Sequence, residues 1–124
     1  LLFQLNSLEN LTKNGRVSKM AGMTAKLLGI RMIGIASDVG TVQPLHKCRG
    51  TEKTYSLVLQ EMRERGFVGG RVILGHAFQE AGAEMMKNMI LAEFPSSRIT
   101  VMPLSGLCCY YAEEGGLLVG FERG

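Results

Sequence analysis

RVILGHAFQEAGAEMMKNMILAEFPSSRITVM, residues 71–102, is the stretch that decides the fold. Arg71 to Gly75 is an apolar, β-branched run too short for a helix, and it reads as a strand. A long helix is predicted from about Phe78 to Phe94, with Phe78, Ala81, Met85, Met89 and Ala92 at helical spacing as its inward stripe. Pro95 terminates it, because a proline forces the residue before it out of the helical region. Ile99 to Met102 is the next strand. Strands that alternate with helices place the chain in the α/β class.

The flanks extend the pattern. Thr51 caps a helix whose inward stripe is Tyr55, Val58, Leu59 and Met62, and Gly66 ends it. Ile30 to Ala36 is an Ile-rich buried strand, and Ser37 to Gly40 turns the chain. Thr41 to Leu45 returns as an edge strand, since Pro44 lacks the N–H that a central ladder uses. So close-coupled a pair must be antiparallel. Leu1, Leu5, Leu8 and Thr12 follow helical spacing, which predicts an opening helix closed by Asn14-Gly15. Ser18 caps a second helix, carrying Met20, Met23, Leu27 and Leu28, that stops at Gly29. After Met102, Ser105 starts a short helix, and Gly116 to Phe121 forms the last strand. The expectation is one domain over residues 1–124, an α/β two-layer sandwich with a mixed sheet and helices packed on one face, with helices on both faces as the alternative.

Composition excludes several function classes. A chain of 124 residues suffices for one domain, and 46% hydrophobic with 20% charged residues is ordinary for a globular protein. Fourteen Lys and Arg against 11 Asp and Glu give +3, too mild for a nucleic-acid surface. With no Trp and 6% aromatics, little is left for base stacking. No apolar run approaches the roughly 20 residues of a membrane span. Three cysteines cannot close a full set of disulfides, which favours a reducing, cytoplasmic setting. The chain opens at Leu1 inside the helical spacing, so a segment of a longer protein is expected.

Catalytic and metal motifs are weak. Gly50-Thr51-Glu52-Lys53-Thr54 resembles the end of a phosphate loop, but no Gly precedes Lys53. His76 and Glu80 stand four apart without a third metal ligand, and His46 lies in the basic stretch His46-Lys47-Cys48-Arg49. Cys108-Cys109 has no recognisable catalytic neighbour, and reads as small buried residues. No metal site, cofactor or catalytic residue is expected. The eight methionines suit irregular apolar space, including a cavity for a flexible acyl chain, but their spacing alone favours ordinary core filling. Arg16, Lys47 and Arg49, near predicted loops, fit an anionic head group, an acidic partner or a solvated edge.

At Leu8-x-x-Leu11-x-x-x-Gly15-Arg16-Val17-Ser18 the sequence resembles the DegV family of bacterial fatty-acid-binding proteins. The likeness continues through Leu28-Gly29-Ile30-x-x-Ile33, Gly40-x-Val42 and Lys47-x-Arg49. Beyond these come Ile73-x-x-His76-Ala77, Glu80-Ala81, and the tail from Gly115-Gly116 to Phe121, so nearly the whole chain is covered. The resemblance implies the C-terminal lobe of a two-domain carrier. A long-chain fatty acid would lie between the lobes, with its tail in an apolar tunnel, for presentation to a separate fatty acid kinase.

On that resemblance Arg16 belongs to the head-group end, and Met20, Met23, Met85 and Met89 become candidates for the acyl-pocket wall. Lys47 and Arg49 become a candidate partner surface. The family's carboxylate-binding Ser and Thr lie in the other lobe. Its His-x-Gly-Pro-Gly appears here as Ala112-Glu113-Glu114-Gly115-Gly116, which cannot donate from position 112 and sets two carboxylates near the head group. Tyr110 or Tyr111 is the substitute donor at hand. Two other readings follow. Dihydroxyacetone kinase substrate domains are similar to the family in fold and would need His76 as a nucleophile; alternatively, the domain serves interaction only, having lost lipid binding.

Overall fold

The computed structural model describes residues 1–6, 30–36, 42–106, 110, 112–113 and 115–124. Its strands are β1 (Leu2–Leu5), β2 (Arg31–Ala36), β3 (Val42–Cys48), β4 (Arg71–His76), β5 (Arg98–Pro103) and β6 (Leu117–Phe121). Helix α1 (Thr51–Glu64) joins β3 to β4, and α2 (Glu80–Glu93) joins β4 to β5. The strands form one sheet in the order β3-β2-β1-β6-β4-β5. β4 and β5 are parallel, because a helical crossover returns the chain in its original direction. The other neighbours are antiparallel, so the sheet is mixed as expected.

β2 and β3 form the expected antiparallel pair, with β3 at the sheet edge. Pro44 is tolerated there, beside a register slip at Ile33/Gly34. Strand alternation sends Leu2, Ile33, Val72, Leu74, Leu117 and Val119 to one face. There they meet Tyr55, Val58, Leu59 and Met62 of α1 and Ala83, Met86 and Ile90 of α2 in a single cluster. Both described helices therefore cover the same face of the sheet. Phe67 closes the cluster edge-on against Phe94 and Phe121, with ring centroids 4.9 and 5.8 Å away.

Two expectations need correction. Leu2–Leu5 is not the start of a helix but a four-residue strand, bonded to β2 on one side and β6 on the other. Leu2, Gln4 and Leu5 are all buried, so this central strand shows no polar alternation, and the Leu1/Leu5 spacing imitates a helix. The inward stripe of α2 is also displaced by one position. Gly82, Ala83, Met86 and Ile90 are buried, whereas Ala81 and Ala92 are exposed. Phe78 lies before the helix, 82% exposed, at φ 54. The opening helix beyond Asn6, the helix of Ser18 to Gly29, and the turn at Ser37 to Gly40 lie outside the described residues. The short helix after Ser105 is described only at Gly106, Tyr110 and Ala112, each helical.

Candidate functional site

The face of the sheet turned away from α1 and α2 carries the features that ordinary packing does not explain. One row across it reads Phe3, Leu118, Gly75 and Met102 on β1, β6, β4 and β5; the next reads Gly120, Ile73 and Thr100. Ile73 is 53% exposed and Met102 47% exposed, although each sits within a strand. Leu5 and Met32 share this face and are buried. Exposed aliphatic side chains in one contiguous strip mark a surface that gains by being covered, at roughly 25 cal/mol for each Å² removed from water.

Glycines shape the strip. A side chain at Gly75 would run into Leu104, whose Cδ2 would stand 2.6 Å from the new Cβ. Gly120 is different: only Leu1 Cδ1 lies near, at 3.9 Å. Around Gly120 is a concavity of about 380 Å³ lined by Ile73, Thr100, Phe121 and the chain at Arg71, Arg98 and Glu122. At its lower end, Glu122 Oε1 accepts hydrogen bonds from the Arg71 backbone N–H at 2.8 Å and from Arg71 Nε at 3.1 Å. The backbone bond first, and then the guanidinium, hold the Glu122 carboxyl below the usual carboxylate range. Arg98 lies directly opposite Arg71 in the parallel pair.

At the upper end three loops are stitched together. The Leu104 N–H donates to the His76 carbonyl at 2.7 Å, the Ala77 N–H to the Gly116 carbonyl at 3.0 Å, and the Gly115 N–H to the Ala77 carbonyl at 2.8 Å. Gly115 takes φ 89 and leaves room for the amide of Asn6. Ala112 is buried beneath Gly116, at the position that corresponds to the histidine of the resembled motif. His76 Nδ1 accepts from the Gln79 backbone N–H at 3.2 Å, which assigns the neutral ring's proton to Nε2. In that tautomer neither nitrogen has a lone pair free for nucleophilic attack.

The helix-covered side holds a second polar group of interest. Tyr55 is fully buried, and neither its hydroxyl nor Arg31 Nη1 has a well-formed hydrogen bond. Burial pushes the Tyr55 phenol up; the neighbouring Arg31 guanidinium acts in the opposite direction with a smaller effect. Among the described residues, no three His, Cys, Asp or Glu side chains are placed to hold a metal ion. No described helix is long and apolar enough to cross a membrane.

The residues singled out from the sequence fall in separate places. Met85 and Met89 are half-buried on α2 and pack against the helix-side core. Lys47 stands opposite Met32 and is exposed, as is Arg49 just beyond β3. Tyr110 is 45% exposed. Arg16, Met20, Met23, Tyr111 and the Cys108-Cys109 pair lie outside the described residues. Ile73, quoted only as part of a family motif, and Met102 and Gly120 are not among the expected site residues. Their signal was an apolar residue at the outward position of a strand whose inward positions are apolar too.

Comparison with known proteins places this geometry. The family model described as "Uncharacterised protein, DegV family" matches residues 1–123. A DegV domain-containing protein of Streptococcus pneumoniae is 43% identical over 122 residues, covering 98% of this chain and 43% of the relative. One from Streptococcus gordonii is 41% identical over 124 residues, covering 100% and 44%. Among solved structures, the fatty acid kinase B3 protein of Streptococcus pneumoniae loaded with linoleic acid superposes with a TM-score of 0.94 at 42% identity, covering 99% of this chain and 44% of that one. A DegV family protein from Eubacterium eligens loaded with heptadecanoic acid gives 0.91 at 38% identity, covering 95% and 43%. The chain thus spans less than half the length of these relatives.

Proposed function

The chain belongs to the DegV family, and on that footing we propose that it is the C-terminal lobe of a two-domain fatty-acid carrier. The observation that carries the reading is the 0.94 superposition at 42% identity on a protein loaded with linoleic acid. The open sheet face supplies the matching chemistry: exposed Ile73 and Met102, with the side-chain-free position Gly120 beside Ile73, suit a long apolar chain. The acid would lie between this lobe and the other, with its carboxylate outside the apolar strip.

In this reading the protein is a carrier that holds the acid for a separate fatty acid kinase in the cytoplasm, and is not itself the catalyst. Arg16 with Tyr110 or Tyr111 serves the head-group end, Met20 and Met23 extend the acyl wall, and exposed Lys47 and Arg49 meet the kinase through complementary charge. The phosphoryl-transfer alternative gains nothing from His76, whose Nδ1 is already engaged by a backbone N–H.

Native mass spectrometry of the full-length protein tests the reading. A co-purified mass of fatty-acid size, exchangeable for added oleate, is expected. A folded protein that neither carries nor takes up a fatty acid would leave the interaction-only reading in its place.

A further inference from the structure

We propose that Gly120 sets how much acyl chain the open sheet face accepts, so that this one missing side chain is a chain-length determinant. The proposal rests on the fatty-acid reading above and concerns the same face.

A glycine inside a strand weakens it, and generally marks a bulge, a backbone that needs positive φ, or a place where something else approaches closely. The first explanations fail at position 120. Gly120 pairs in regular register with Ile73, and its φ lies outside the left-handed region that favours glycine. Crowding fails as well, since a Cβ there would meet only Leu1 Cδ1, in ordinary contact at 3.9 Å. Gly75 on the neighbouring strand shows the contrast, because Leu104 already fills its side-chain space. Position 120 thus has room for a side chain and lacks one.

The consequence of that absence is the concavity of about 380 Å³, whose floor is Gly120 and Ile73. Its lower end is bounded by the Arg71–Glu122 ion pair, whose charges already satisfy one another. Methylene groups that advance over Ile73 find an apolar floor and then a polar stop. Such a groove discriminates by length: each methylene it admits is worth about three- to fourfold in affinity when buried, and a side chain on the floor removes that gain for the longest chains alone.

The test uses the full-length protein and competition among myristate, palmitate and stearate, read by mass spectrometry of the bound pool. Gly120→Leu is expected to lower the stearate-to-myristate ratio by about tenfold or more, with Gly120→Ala falling between it and the unsubstituted protein. Ile73→Ala, at a half-exposed side chain whose loss the fold tolerates, is expected to move the ratio the other way. Ratios unchanged in both Gly120→Leu and Ile73→Ala overturn the proposal, and if Gly120→Leu fails to fold, Gly120→Ala and Ile73→Ala decide it alone. An unsubstituted protein that binds none of the three acids overturns instead the fatty-acid reading on which it stands.

Discussion

The Tyr55 hydroxyl of α1 occupies the space where a side chain on Gly82 of α2 would have to stand. The two helices meet at this point, over the upper part of the sheet. Gly82→Ala would add the helix preference of alanine, about 1 kcal/mol, against an overlap with a fully buried hydroxyl that costs about 1–3 kcal/mol. A net loss of up to about 2 kcal/mol is expected, read as a lower urea midpoint with an unchanged slope. In a Tyr55→Phe background the same substitution should cost less, the remainder coming from the Gln79 side chain, whose Cγ would stand 2.8 Å from the new Cβ. If the loss persists undiminished there, the hydroxyl is not the obstacle.

Tyr55 also predicts a specific alkaline weakness. Burial raises its pKa above the usual 10.0, so the folded state holds its proton where the unfolded chain has released it. The stability due to the neutral phenol is complete below about pH 10 and declines as pH rises toward the folded value. Arg31 opposes the shift and narrows that window without reversing it. Tyr55→Phe should therefore flatten the fall in stability above about pH 10 while changing neutral-pH stability little, because the hydroxyl has no well-formed partner to lose. Parallel denaturation series at neutral and alkaline pH would show it; identical alkaline slopes in both proteins would contradict it.

These residues also mark what a sequence can disclose. The stripe Tyr55, Val58, Leu59 and Met62 was legible because helical spacing is local, and β2, β4 and β5 were legible because short apolar runs between glycines and prolines are local too. β1 was not, since a four-residue strand buried on both faces lacks alternation. The rotation of α2 was missed for a related reason: Gly82 and Ala83 are buried against α1 and the sheet without bulk, while the bulkier Met85 and Met89 attract a hydrophobicity reading. The open face was illegible because Ile73 and Gly120 become neighbours only through pairing of β4 with β6. Family motifs led to the proposed function, and local pattern led to the elements.

His46 on β3 and Glu61 on α1 form a link of the same non-local kind. Glu61 is buried; one carboxylate oxygen lies 2.7 Å from His46 Nε2 and the other accepts from Arg65 Nε at 3.2 Å. Glu61→Ala removes the tie between the edge strand and the helix. Both partners are about one-third exposed and rehydrate, which limits the loss to about 1–2 kcal/mol. Hydrogen exchange should localise the effect to β3, an edge strand held by one neighbour, β2. Uniform loss of protection across all strands would argue that Glu61 supports the core and not the edge.

The two faces of the sheet make opposite predictions about lipid. Ile73 is half-exposed and contributes little to the core, so Ile73→Glu should leave the melting temperature of the full-length protein within a few degrees of the original. On the open face, however, it would set a carboxylate on the floor of the groove, where burial under an acyl chain is costly. Fatty-acid affinity is expected to fall by more than tenfold. Met89→Ala, on the helix-covered side, should do the reverse: truncating a half-buried side chain packed against the core costs about 1–2 kcal/mol of stability and leaves affinity unchanged. Titration with a fluorescent fatty acid alongside thermal melts separates the cases. If Met89→Ala abolishes binding and Ile73→Glu does not, the acyl chain runs beneath α2, along the methionine wall that the family resemblance implies.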